Sequence, residues 1–336
     1  MKQNTMMKKT LALALALGMP LALTACGSAD SGESAEADGA YKVAVVRQLD
    51  HASMNEIRDA ITAELDAKAA ELGIAITYGD FNGNNDPSTL SQIGAQIVAD
   101  GYDAIIPIGT TAAQQMAATA QATKTPVIYG TVSYPETAGL TGISYVTGTS
   151  DALNVELLLD MMLAQNPEVE TVGLLYSTSE VNSAPAIETA KAYLDSKGIS
   201  YLDKTGNTTD EIVAAVNSML DQVDAVFTPT DNVVMNAELA IAPILTEAGI
   251  PHYAGADSFV RNGALATCGV NYTDLGTQTA DLALEVLQSG QVPTDFVTVS
   301  GDIITVNLDT AAALGVDTGV FSSLGSSMVE VHTTQE

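Results

Sequence analysis

Tryptophan is absent from this 336-residue chain, and aromatic residues make up only 5% of it. Basic residues are scarce as well: 12 lysines and arginines stand against 41 acidic residues, a formal net charge of -29. A surface so acidic repels phosphate backbones, which excludes general nucleic-acid binding. Two cysteines cannot supply a disulfide scaffold. What the chain does have is apolar mass. At 46% hydrophobic residues it can fill substantial cores, so wholesale disorder is excluded. Its length suits about two domains of roughly 150 residues each.

Residues 1–25 read as a piece separate from the fold. Lys2, Lys8 and Lys9 form a positive start, and residues 11–23 are an almost unbroken apolar run containing Gly18 and Pro20. That run is too short for a comfortable membrane span and has the layout of a signal peptide. It ends in Leu23-Thr24-Ala25-Cys26-Gly27, which resembles the lipobox of bacterial lipoproteins. The resemblance implies removal of residues 1–25 and lipid attachment at the Cys26 thiol. Residues 26–40, small, polar and acidic, then read as a flexible tether. Cleavage leaves nine of the 12 basic residues against all 41 acidic ones. The chain's own surface therefore does not hold it to an anionic membrane, and the lipid is expected to. Cys268, in Ala266-Thr267-Cys268-Gly269-Val270, reads as a buried core residue.

From Tyr41 onward short apolar runs alternate with longer helical patterns. Strands are expected at 43–46, 74–78, 104–108 and 127–129, with helices at 52–72, 87–99 and 111–123. The scheme repeats with strands at 172–176, 199–202, 225–227 and 251–254 and helices at 182–196, 209–220 and 232–248. A further strand (265–271), a helix (273–289) and strands at 296–299 and 303–307 follow. Such alternation argues for an α/β fold with parallel sheets covered on both faces. A TIM barrel also alternates, but it does not account for the wide gap between 127 and 172 or for the elements after 264. The expectation is two doubly wound parallel-sheet lobes joined by a hinge. Lobe 1 comprises 41–148 plus 268–292, and lobe 2 comprises 149–267 plus 293–336. In such sheets ligands bind beyond the carboxyl ends of the strands, so two facing edges make a cleft.

Signatures of catalysis are missing. There is no P-loop, no dinucleotide fingerprint and no nucleophile elbow. His51, His252 and His332 lack the spacing of zinc ligands. Asp80-Phe81-Asn82-Gly83-Asn84 starts like a calcium loop but has Asn85 where glycine is needed and Ser91 where glutamate is needed. Neither an enzyme, a metal site nor a cofactor is expected.

Several segments carry a resemblance in their order and spacing. They are Gln48-Leu49-Asp50-His51; Ile108-Gly109-Thr110-Thr111-Ala112-Ala113-Gln114; Val132-Ser133-Tyr134-Pro135 with Ala138-Gly139-Leu140; Tyr176-Ser177-Thr178-Ser179-Glu180-Val181-Asn182-Ser183; Pro229-Thr230-Asp231-Asn232; and 263–267 leading to Asn271-Tyr272 and Leu275-Gly276. Together they resemble the ABC-transporter substrate-binding proteins of the tryptophan/tyrosine-binding lipoprotein family, from Tyr41 to about Leu314. The resemblance implies a type I periplasmic-binding-protein fold and a small ligand, held between the lobes and delivered to an ABC permease with its ATPase. The chain departs from the family at Thr110-Thr111, where Thr-Pro is frequent, and at Tyr134-Pro135, where Asp-Pro is frequent. The second departure leaves the ligand open: an amino acid, aromatic or similar, or a nucleoside or sugar. A ligand-presenting receptor for a membrane sensor shares the same features, and a secreted enzyme is a further alternative.

The candidate ligand-binding residues follow from position. Thr110 and Thr111 open a helix after a strand, where free amides and hydroxyls suit a carboxylate or simply cap the helix. Asn182 and Ser183 occupy the equivalent junction in the second half. Asp231 and Asp257 follow strands and suit an ammonium or a ligand hydroxyl; as alternatives, Asp231 caps a helix and Asp257 stabilises a turn. Gln48 and His51 follow the first strand, and Phe81 and Tyr134 are candidates to stack on a flat ligand. In the expected arrangement Asp231 supplies the negative end of an amino-acid subsite and the Thr110–Thr111 terminus the positive end.

Overall fold

The structure is a computed structural model, and residues 39–299 and 301–334 are described; Cys26 and most of the proposed tether lie outside them. The first half runs β1 (Ala40–Arg47), α1 (Ala52–Leu72), β2 (Ala75–Asn82), α2 (Pro87–Ala99), β3 (Ala104–Ile108), α3 (Thr110–Thr119), β4 (Val127–Tyr129) and β5 (Val146–Ser150). The second runs α4 (Val155–Gln165), β6 (Thr171–Tyr176), α5 (Ser183–Lys197), β7 (Ser200–Thr205), α6 (Thr209–Asn217), β8 (Ala225–Thr228), α7 (Asn232–Glu247), β9 (His252–Ala254), α8 (Asp257–Arg261) and β10 (Ala266–Gly269). Then come α9 (Tyr272–Ser289), β11 (Val297–Thr298), β12 (Ile303–Asn307), α10 (Leu308–Leu314), a 3-10 turn at Thr318–Phe321 and β13 (Ser327–Val331).

The strands form two sheets, ordered β11-β5-β4-β3-β1-β2 and β13-β12-β10-β9-β8-β6-β7. The first is parallel throughout, and the second has one antiparallel pair, β10 with β12. Within each, the order 2-1-3-4-5 reverses beside the first strand, which opens a crevice at the carboxyl ends of strands one and three. The crevices lie between β1 and β3 and between β6 and β8. This internal repetition is the two-lobed, doubly wound fold expected from the alternation.

The strands are buried on both faces. In β1, Val43 and Val45 pack with Ile57, Ile61 and Leu65 of α1, whereas Ala44 and Val46 pack with Leu90, Ile97 and Met116 of α2 and α3. Successive side chains point to opposite sides of a strand, so an uninterrupted apolar run is what a doubly covered strand requires. In β6, Val172 and Leu174 face the cluster of α4 and α5, and Leu175 faces that of α6 and α7. α9 returns to the first sheet and packs on α1 through Gly276: a Cβ there would stand 2.6 Å from Ala60 Cβ and 2.9 Å from the Ile57 carbonyl oxygen.

The chain passes between the sheets after β5, after β10 and after β11. Three boundaries differ from expectation. β5 extends the first sheet to Ser150 and was not anticipated, nor was α4; together they fill the gap between 127 and 172. β10 keeps residues 268 and 269 in the second sheet. β11 pairs with β5, at Val297–Thr149 and Thr298–Ser150, so this piece of the tail belongs with the first lobe rather than the second. Cys268 is fully buried and free, and burial pushes its thiol up to about 12.

Candidate functional site

The carboxyl ends of the two sheets face each other across a cavity. Its walls come from α1 (His51 at the start, Ser53, Met54, Ile57), the β3–α3 junction (Gly109, Thr110) and the lobe crossings (Asp151, Tyr272) on one side. On the other stand Asn182, the Thr230–Asn232 turn, Met235, Ser258 and Phe259. The cavity is narrow, about 30 Å³, well below the roughly 300–1,000 Å³ of small-molecule sites, so an aromatic ring enters only if the walls part.

Among the described residues, hydrogen bonds cross between the lobes at four places. Gln48 Nε2 donates to Glu180 Oε1 at 2.9 Å, His51 Nε2 meets Asn232 Oδ1 at 3.0 Å, Ser53 Oγ meets Ser258 Oγ at 2.5 Å, and Ser133 Oγ meets Thr230 Oγ1 at 3.1 Å. Each contributor on the first-lobe side follows a strand end or opens a helix.

The α3 terminus is built without a capping side chain of its own. Its N-cap is Gly109, at φ 98° and ψ 153°. Gln48 acts in its place, Oε1 accepting from the Thr111 amide at 3.0 Å while Nε2 also donates to Asn85 Oδ1 at 3.0 Å. The Thr111 amide is therefore already engaged, and Thr111 does not line the cavity, whereas Thr110 does. Gln48 and Ser183 hold the walls rather than form them: Ser183 Oγ donates to Asp231 Oδ2 at 2.7 Å.

Asp231 resolves in favour of its structural alternative. Its Oδ1 accepts from the Val233 and Val234 amides, each at 3.0 Å, and its Oδ2 from the Ser177 amide and Ser183 Oγ, each at 2.7 Å. A carboxylate has about four lone-pair sites, and all four are used within one lobe. Asp231 lines the cavity but caps α7 and locks the β6–α5 loop to it. Asp257 sits in the first turn of α8, pairs with Arg261 at 3.1 Å and does not line the cavity. Neither do Phe81, whose ring meets Tyr102 edge-on at 6.1 Å, and Tyr134, which packs on the apolar cluster of the second lobe.

Three site features were not anticipated from sequence. Asp151, following β5, is buried and accepts from Thr131 Oγ1 at 2.6 Å, Ser133 Oγ at 2.9 Å and the Tyr272 hydroxyl at 3.4 Å. Burial pushes its carboxyl upward, against those hydrogen bonds. Glu180 is also buried, held by Gln48 and by Asn232 Nδ2 at 2.9 Å. Burial first, and the nearby charge of Asp231 second, push it up to about 8. Tyr272 opens α9 at the second crossing. Glu180 and Tyr272 lay inside quoted motifs, while nothing around Asp151 marked it. Among the described residues lining the cavity there is no lysine or arginine. Burial outweighs the Asn232 hydrogen bond and the Asp50 charge in lowering the His51 pKa, which favours the neutral imidazole. Among the described residues no cluster of potential ligands could hold a metal ion.

Two matching α/β lobes over a narrow cavity, with the chain crossing between them three times, define a type I periplasmic-binding-protein fold. A family model described as ABC transporter substrate binding protein matches residues 42–320. The chain belongs to that family, whose members bind solutes. It is 31% identical over 324 residues to a tyrosine-binding protein of Clostridioides difficile (strain R20291), covering 91% of this chain and 92% of that one. A Streptococcus pneumonia ABC domain solved in complex with L-Trp is similar with a TM-score of 0.77 and 27% identity, covering 85% of this chain and 100% of the other. A ligand-free, open substrate-binding protein with adhesive properties from Clostridium difficile gives 0.66 at 28% identity, covering 88% and 100%. At nearly equal identity the chain is thus nearer in shape to the tryptophan-bound structure than to the open one.

Proposed function

We propose that the protein captures an aromatic amino acid between its lobes outside the cytoplasm and presents it to an ABC permease driven by its ATPase. The observation that carries this reading is the composition of the cavity. Met54, Ile57, Met235 and Phe259 supply an apolar wall for a ring, and the His51, Thr110, Asp151 and Asn182 side chains supply polar anchors. Tyrosine- and tryptophan-binding relatives support the ligand class. Lipid on Cys26 anchors the protein at the membrane surface in this reading. No helix among the described residues is long and apolar enough to cross a membrane.

Ligand entry breaks the four interlobe hydrogen bonds, and closure remakes them around the bound molecule, which converts occupancy into a shape that a permease reads. The test is mass spectrometry of small molecules released by denaturing the purified protein, followed by calorimetry with L-tyrosine and L-tryptophan. Release or binding of an aromatic amino acid supports the reading. Release of a nucleoside or sugar, with no heat from either amino acid, overturns it.

A further inference from the structure

We propose that Asp151, together with Nδ1 of His51 and Oδ1 of Asn182, forms a subsite for a primary ammonium group, an assignment that rests on the amino-acid reading above. The first support is an inventory of acceptors. Asn232 donates its Nδ2 to Glu180 Oε2, so its Oδ1 is the atom facing His51 Nε2. Nε2 therefore carries the imidazole proton, and Nδ1 is a bare acceptor. That Nδ1 is shielded from solvent and has no partner. Asn182 donates its Nδ2 to the Thr230 carbonyl at 2.6 Å, which fixes its amide and leaves Oδ1 buried without a partner. Both residues line the same cavity as Asp151. A buried acceptor without a donor is costly, and two in one cavity, one from each wall, point to a ligand that brings donors.

The second support is charge. Asp151 is a buried carboxylate with three neutral hydroxyl donors, one of them at the long distance of 3.4 Å from Tyr272, and no cationic side chain among the described cavity-lining residues. Unlike Asp231, it retains acceptor capacity. A buried carboxylate is satisfied by a paired cation, and an ammonium has both the charge and three N–H donors. The third support is position. Asp151 lies at the first lobe crossing and Tyr272 at the second, and Ser133, which donates to Asp151, accepts from Thr230 of the other lobe. An ammonium at Asp151 thus sits at the hinge end of the cleft.

Calorimetry on the full mature chain tests this with L-tyrosine and its des-amino analogue, the same molecule with hydrogen in place of the ammonium group. The wild type should prefer tyrosine by roughly ten- to a hundred-fold, the range of a charge-assisted hydrogen bond. Asp151→Asn should compress that preference to within a few-fold, while Asp257→Asn leaves it unchanged. If Asp151→Asn does not fold, His51→Phe removes the Nδ1 acceptor and should reduce the preference several-fold. Undiminished preference in the folded variant overturns the subsite alone. A wild type that binds neither L-tyrosine nor L-tryptophan overturns the amino-acid reading and the subsite with it.

Discussion

Gln48 of the first lobe and Glu180 of the second share a hydrogen bond of 2.9 Å that joins the two crevices at which the strand orders reverse. The same glutamine caps α3 through its oxygen, so one side chain ties the cavity's floor to its far wall. Its partner is a buried carboxyl group, so an opening of the lobes that exposes Glu180 to water is expected to be proton-linked.

With its pKa pushed up to about 8 in the closed form, Glu180 binds a proton more tightly there than in an open form that exposes it to water. The sign follows: between the ordinary glutamate range, about 4.3, and about 8, the closed form carries the extra proton and loses stability as pH rises. Below the ordinary range both forms are protonated, and the favourable difference is fully present. The unliganded protein should therefore be more compact at pH 5 than at pH 9, the closure equilibrium changing by at most about tenfold per pH unit. Small-angle scattering across that window checks this. Glu180→Gln should flatten the profile; an equal pH dependence in the variant would place the titrating group elsewhere.

Asp231→Ala is expected to act on stability first. It removes the α7 cap and orphans the buried Ser177 amide, together worth about 2 kcal/mol. Chemical denaturation should show that loss, while affinity for L-tyrosine, measured well below the unfolding transition, stays within a few-fold. A hundred-fold loss of affinity with unchanged stability would restore Asp231 to the ammonium subsite.

Much of the architecture was legible because doubly covered strands must be apolar runs: Val43-Ala44-Val45-Val46 and Ala104-Ile105-Ile106-Pro107-Ile108 can be little else. β5 was not legible, since Val146-Thr147-Gly148-Thr149-Ser150 has one aliphatic side chain and draws its place from pairing with β4 and β11. Asp151 was lost with it. At the site, the rule that ligands sit beyond strand ends located His51, Thr110, Asn182 and Asp231 on the cavity wall. It did not tell which of them is free to bind. That depends on partners distant in the chain, such as Ser177 and Ser183 for Asp231. Phe81 was chosen by residue type alone, and its ring has its own neighbour in Tyr102.

Cys26→Ala tests the anchor independently of the fold. The lipobox-like Leu23–Cys26 segment requires a thiol for lipid attachment, so the variant should leave a folded protein that is unprocessed or shed into the medium. Detergent partition and the mass of the N-terminal peptide report on this. A variant that is fully processed and still membrane-bound without lipid would remove the lipoprotein reading.

Gly109 offers the sharpest test of how the cavity floor is built. At φ 98° and ψ 153° it occupies a region open essentially only to glycine, where another residue is strained by roughly 1–3 kcal/mol. A Cβ there would also approach Gln48 Oε1 to 2.9 Å and Met54 Cε to 3.1 Å. Gly109→Ala must therefore displace Gln48, releasing the Thr111 amide and weakening the contact with Glu180. Stability should fall by roughly 1–3 kcal/mol, and because the Gln48 hydrogen bond holds the Glu180 pKa down, the pH dependence of closure should shift to higher pH. A companion variant, Gln48→Ala, removes the side chain without straining the backbone. It should reproduce the shift of pH-linked closure to higher pH but less of the destabilisation. If Gly109→Ala is as stable as the wild type and closes with the same pH profile, Gln48 is not the element that couples the α3 terminus to the second lobe.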